Sequence, residues 1–307
     1  MLRVKRRLIA TYIVPMLMAV AFVDVWPLLY TVSTSFTNKS VIHLDDYHFV
    51  GIQNYQQAVG SLDSSFIYVL LLTFLFVIVC ISLFLLVGMG TALALNNPRI
   101  KARPIWTLAL MLPWAVPNVV TPLIWKFLFN YDFGTFNQLL RLVFGKQAGI
   151  PWTINPVWAF ISVVIVNVWL SYPFFTVVIL GSLQSIPQEL HEAANVDGAN
   201  SWQRFRSITL PLLRPAITPA TILSAILTFQ MFNVVYLITQ GGPNARPLKP
   251  GITSFVMIYI YNKLFGDTAG NPKYGALSAV AVLIFFILLG MTLLSLRASN
   301  VAKGANG

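Results

Sequence analysis

Residues 66–95 read FIYVLLLTFLFVIVCISLFLLVGMGTALAL, without a single charged side chain. A helix that crosses a bilayer needs about 20 consecutive apolar residues, and this run exceeds that. It is unbroken rather than alternating, which predicts a helix and argues against a membrane β-strand. Toward its end stand Gly88, Gly90, Ala92 and Ala94. Small residues let helix backbones approach closely in lipid, where no hydrophobic effect drives association. The rest of the chain agrees with this run. Of its 307 residues 57% are hydrophobic and only 9% charged, with a mean hydropathy of +0.75. A soluble domain carries about 25% charge, so the composition predicts an all-α, polytopic membrane protein.

Working outward, five more apolar runs appear, giving six expected spans: 8–30, 66–95, 105–129, 156–183, 212–239 and 274–296. The first follows MLRVKRR and is too long for a signal peptide, so it reads as a retained span. It contains Asp24. An acid inside a membrane marks function by default; the favoured alternative is that Asp24 lies near the outer interface beside Trp26 and is simply solvated there. The third run holds Pro113, Pro117 and Pro122, which predict a kinked helix of the kind that lines cavities. The fourth carries Asn167, Ser171, Tyr172 and Pro173 near mid-membrane. The fifth carries Ser224, Thr228, Gln230 and Asn233.

The net charge of +11 invites a nucleic-acid reading, but the basic residues gather at span ends. Lys and Arg are dense in the N-terminal segment, in 96–104, in 184–211 with Arg214, and in the C-terminal tail. The outer loops are sparser. That pattern places both termini in the cytoplasm and the loop after the fourth span with them. The single Cys80 lies in an apolar run and reads as a small hydrophobe. His43, His48 and His191 show no metal-ligand spacing, so no metal site is expected. The chain contains no P-loop Gly-Lys-Ser/Thr signature and no catalytic triad pattern. The sequence therefore predicts a protein that is not itself an enzyme and binds no cofactor of its own.

One segment breaks the apolar character: ELHEAANVDGANSWQRFRSITLPLLRP, Glu189–Pro215. Pro187 suits a helix start. Asp197-Gly198 breaks the helix, Asn200 or Ser201 caps a second one, and Pro211 is expected to stop it. Two short helices meeting at Gly198, with Leu190, Trp202 and Phe205 as apolar contacts and Glu192 and Arg204 as charged ones, read either as a docking element or as a cap on the bundle.

Glu192-Ala193-Ala194, three residues, Gly198, nine residues, and Ile208-x-Leu210-Pro211 resemble the EAA loop of ABC importer permeases. The stretches FVGIQNY (49–55), LPWAVPNVVTPLIWKFLFN (112–130), NVWLSYPFF (167–175) and FNVVYLITQGGP (232–243) are similar to the carbohydrate branch, in particular to the MalF-type maltose and maltodextrin subunit. The resemblance covers nearly everything from residue 49 onward. It implies a six-helix permease of the MetI-like type in a bacterial or archaeal inner membrane, forming half of a pore with a second permease subunit. Two ATPase subunits holding ATP and Mg, and an extracytoplasmic sugar-binding protein, would complete the importer.

By resemblance, Glu192, Ala193, Ala194, Asp197, Gly198, Ile208, Leu210 and Pro211 would engage the ATPase. An oligosaccharide would meet Asn167, Leu170, Ser171 and Phe174, with Ser224, Thr228 and Met231 from the next span; Tyr172 joins them on chemistry alone, as an aromatic that can stack on a sugar face. Thr228 and Met231 stand where the maltose subunit has asparagines, which leaves the sugar open. The outer loop 37–65 is short beside the large insert of the enterobacterial subunit, so docking of the binding protein would rest on shorter loops such as 240–273. Two rival readings remain. One is an importer for an alginate-, raffinose- or trehalose-type sugar or for glycerol phosphate. The other is an ion-coupled secondary transporter, for which buried ionisable groups are expected and only Asp24 qualifies.

Overall fold

The computed structural model describes residues 6–60, 65–244, 250–265 and 272–304. Parts of the outer loops 37–65 and 240–273 and of the charged termini thus lie outside the described residues. The described chain is helical, with one isolated antiparallel bridge, Thr37 to Phe49. Its long helices are α1 (Thr11–Ser35), α3 (Ser65–Asn96), α8 (Pro156–Gln184), α10 (Ser201–Phe229) and α13, counted to Leu294 (Tyr274–Leu294). These five are long and apolar enough to cross a membrane. The shorter helices are α2 (Gln53–Val59), α4 (Arg103–Leu110), α5 (Leu112–Ala115), α6 (Val120–Leu128), α7 (Thr135–Phe144), α9 (Gln188–Val196), α11 (Asn233–Thr239) and α12 (Val256–Phe265).

The expected third span is not one kinked helix but three pieces, α4, α5 and α6. Val116 is extended, with φ −88° and ψ 132°. This is the conformation that a residue before proline prefers, so Pro117 converts a kink into a break. The expected fifth span is also differently cut. Pro211 does not stop the polar segment's second helix; α10 runs through it from Ser201 to Phe229. A wide π-type turn over Phe205–Thr209, in which the Leu210 N–H donates to the Phe205 carbonyl, lies just before that proline. The wider turn accommodates a ring that would otherwise clash with the carbonyl four residues back. The same device recurs in α1, where a π-type turn over Ala21–Val25 immediately precedes Trp26-Pro27.

Backbone proximity divides the chain into two units: Met1–Tyr68 with Ile260–Ile287, and Val69–Tyr259 with Leu288–Gly307. In the first, α1 exposes every described side chain from Thr11 to Tyr30. In the second, α10 packs on α8, α11 packs on α6 and α8, and α5 packs on α8. Of the small-residue row, only Gly88 and Ala92 serve close packing. A Cβ on Gly88 would stand 2.5 Å from the Phe175 Cβ, whereas one on Gly90 would meet nothing. Ala92 is buried and Ala94 exposed. One turn further, the Thr91 and Thr176 hydroxyls hydrogen-bond at 2.6 Å. Phe76 stacks on Phe255 at 4.3 Å, and the Thr73 hydroxyl accepts the Val256 N–H at 3.0 Å. The loop preceding α12 is thereby held against α3.

Candidate functional site

The breaks in the helices are where the second unit opens. A cavity of about 490 Å³ is lined from α8 by Leu170, Ser171 and Phe174. From α10 and the segment after it come Leu223, Ser224, Leu227, Thr228, Gln230, Met231, Phe232 and Asn233, and Phe84, Trp114 and Asn118 complete the wall. A second cavity of about 450 Å³ shares Trp114, Asn118, Leu170, Ser171 and Met231 with it, and adds Asn167 and the extended stretch around Val116. No lining residue of either carries a charge. The walls combine aromatic faces with amide and hydroxyl groups. Such a lining suits a neutral, hydroxyl-bearing ligand better than an ion, since an ionic ligand needs a paired charge when it leaves water.

Seven of the eight residues expected in a substrate pathway face these cavities: Asn167, Leu170, Ser171, Phe174, Ser224, Thr228 and Met231. Tyr172 does not. Its hydroxyl donates to the Leu110 carbonyl at 2.9 Å, one of the groups freed where α4 ends, so it braces the broken span. Asn167 is fully buried, and both its amide oxygen and amide nitrogen lack a hydrogen-bond partner. The Cys80 thiol lies beside it. A buried unsatisfied amide costs about 1–3 kcal/mol, a cost that a ligand or water entering the cavity could offset. Sequence reasoning passed over Trp114, Asn118 and Phe232 for want of a signal. Gln230 and Asn233 were visible as polar residues in a span, but the break that turns them to the cavity was not. No proline or glycine marks it.

The polar segment forms a second candidate site, built from local rules. Helix α9 ends in a Schellman motif: the Ala199 N–H donates to the Ala194 carbonyl at 2.9 Å and the Gly198 N–H to the Asn195 carbonyl at 3.1 Å. That closure requires a left-handed residue, and Gly198 supplies it with φ +77°. Two residues on, Asn200 and Gln203 form a reciprocal capping box, Gln203 N–H to Asn200 Oδ1 at 2.9 Å and Asn200 N–H to Gln203 Oε1 at 2.8 Å. The bend is therefore fixed at both sides. Glu192 accepts a bond from the Gln188 amide at 2.8 Å and is exposed, as are Ala193, Asp197, Gly198 and Pro211. Ala194, Ile208 and Leu210 are half-buried. Val196 is 89% and Trp202 65% exposed, and Trp202 stacks on Phe205.

Membrane-crossing helices, an uncharged cavity among them and a rigid bent pair outside them define a membrane transport component. A family model for the inner membrane component of binding-protein-dependent transport systems matches residues 85–303. The trehalose/maltose transport system permease protein MalF of Thermococcus litoralis is 34% identical over 292 residues, 95% of this chain and 93% of that protein. The maltodextrin transport system permease protein MdxF of Bacillus subtilis is 32% identical, over 94% of this chain and 68% of that protein. The chain belongs to the family of binding-protein-dependent transport system inner membrane components. Among solved structures, a chain of a bacterial alginate ABC transporter, crystallised with an alginate pentasaccharide-bound periplasmic protein, has the same fold. Its TM-score is 0.76 at 18% identity, with 96% of this chain and 95% of that one covered.

Proposed function

We propose that this chain is the permease subunit of an ATP-driven sugar importer, forming half of the translocation pathway for an oligosaccharide of the maltodextrin kind. The observation that carries the reading is the uncharged cavity walled by aromatic, amide and hydroxyl groups, in a chain whose relatives are named for maltose and maltodextrin transport. The family sets aside an ion-coupled transporter working alone. A glycerol phosphate importer is disfavoured because no cation lines the cavity. In this reading Ser171, Ser224, Thr228 and Asn167 offer hydrogen bonds to sugar hydroxyls, Phe174 and Trp114 offer faces for stacking, and Leu170 and Met231 shape the passage.

The partners are a second permease subunit, two ATPase subunits that bind ATP and Mg, and an extracytoplasmic sugar-binding protein. Both termini and the bent pair face the cytoplasm. Glu192, Ala193, Ala194, Asp197 and Gly198, with Ile208, Leu210 and Pro211 behind them, seat in the ATPase. Closure of the ATPase pair on ATP moves the bend, and α10 carries that motion to the cavity because it runs unbroken from the second arm of the bend to Ser224 and Thr228 on the cavity wall. Reconstituted with its partners, the complex is expected to hydrolyse ATP faster when a maltodextrin-loaded binding protein is added, and Glu192→Lys is expected to abolish that stimulation. Sugar uptake by the lone chain without ATP would refute the importer reading.

A further inference from the structure

A third cavity lies in the first unit and shares no lining residue with the other two. It measures about 300 Å³, and its walls include Lys39, Ser40, His43, Gln53, Gln57 and Lys273. The sequence places it where α1 ends and α13 begins, at the depth of one membrane surface. Its floor is held firmly. The buried Asn54 amide donates to the Ser35 and Thr37 carbonyls, both at 2.8 Å, and the Gly275 N–H donates to the Lys39 carbonyl at 2.9 Å. Gly275 packs so closely on the Thr37 carbonyl that no Cβ would fit.

The donors at this cavity are arranged for an anionic group. Lys39 is oriented by a 2.9 Å bond from its Nζ to the Tyr30 hydroxyl and sits over the Tyr47 ring at 4.7 Å. The Tyr30 contact raises its pKa above the ordinary ammonium value, so it stays charged. The Lys273 ammonium has no hydrogen-bond or ion-pair partner among the described residues, nor do the side-chain amides of Gln53 and Gln57. The loop's described acids, Asp45 and Asp46, do not line the cavity. Asp46 pairs with His43 at 3.2 Å, and Asp45 acts on Lys39 from a distance. Lys39 stands against Asp45 and Asp46 on the loop, and Lys273 from the far segment brings the described charges to zero; two ammonium groups on walls that carry no acid suit a single phosphate and not a polyanion. Ile42 lines the cavity, and Phe49 and Ile52 are chain neighbours of the lining residues Val50 and Gln53; the three are 68%, 75% and 60% exposed. Cationic donors inside an apolar rim at a span end match the two halves of a phospholipid, phosphate and acyl chain.

We propose that the cavity between residues 38–57 and Lys273 is a phospholipid site in which Lys39 and Lys273 hold the headgroup phosphate and Ile42, Phe49 and Ile52 contact the acyl chains. The test uses the chain together with the subunits that purify with it, in nanodiscs containing photoactivatable phosphatidylglycerol or phosphatidylcholine. Labelling is expected on peptides from 38–57. It is expected to fall about fivefold in Lys273→Gln and about thirtyfold in Lys39→Gln/Lys273→Gln, and to stay unchanged in Lys146→Gln. Because the Lys273 ammonium has no partner among the described residues, the single variant keeps the test decisive if the double variant fails to assemble. Labelling equal in all variants would overturn the proposal. So would competition by millimolar inorganic phosphate, which would mark a soluble-anion site, or cross-linking of 38–57 to a neighbouring protein in place of lipid. The outcome does not depend on which solute is imported.

Discussion

The bent pair at 188–204 and the cavity beside Asn167 are both made of polar residues in an apolar chain, yet they are built in opposite ways. The bend is assembled from neighbours: its Schellman closure and capping box span residues 194–203, and its surface stays in water. The cavity is assembled from distant segments, 84, 113–118, 167–174 and 223–233, and its key amide is buried without a partner. A site whose geometry is locally closed presents one rigid shape to a partner protein. A site whose polar groups await a ligand carries some instability of its own. Under the function proposed above, the pair separates the place where force enters from the place where the solute is handled.

The contrast can be broken first at Gly198. A proline there fixes φ near −65° against the observed +77°, and transport in the reconstituted complex is expected to drop about 100-fold or more. ATPase subunits should be lost on purification while the chain still inserts. Retention of the ATPase would mean the bend is not the docking element. At the cavity, Asn167→Leu should behave oppositely: about tenfold slower uptake, with a thermal midpoint no lower than that of the parent, because an unsatisfied amide leaves the interior. A clear loss of stability would mean the amide is satisfied in the assembled protein.

Smaller effects sharpen the boundary between the two. Gly88→Ala, pressing on Phe175, is expected to cost about 1–3 kcal/mol in detergent unfolding, while Gly90→Ala should stay within about 0.5 kcal/mol. Equal effects would show that α3 and α8 do not meet as closely as described. Asn200→Ala removes the cap on α10 and is expected to cost about 1 kcal/mol. Its readout is a modest fall in sugar-stimulated ATP hydrolysis, with sugar specificity unchanged.

Much of the bend was legible before any fold was known, because its determinants are local. Gly198, Asn200 and the helix-permissive run from Gln188 act within a few residues of where they stand. Pro211 misled for a local reason too: a proline ends helices on average, and the π-type turn that accommodates it has no sequence signature of its own. The third span shows the limit of counting prolines, since Pro117 with an extended Val116 gives a break and not a bend. Tyr172 reads as a pocket residue from its position beside Ser171, yet its hydroxyl is committed to the Leu110 carbonyl.

By itself the sequence determined that this chain crosses a membrane and where its polar bend lies. Hydropathy, helix capping and motif spacing are properties of neighbouring residues. The tertiary structure decided which polar side chains share a cavity, that the helix breaks near Gln230, and that Lys39 and Lys273 stand on the walls of one cavity although 234 residues separate them in number (273 − 39). Those outcomes depend on packing between segments far apart in the chain, and no single stretch carries the energy that fixes them.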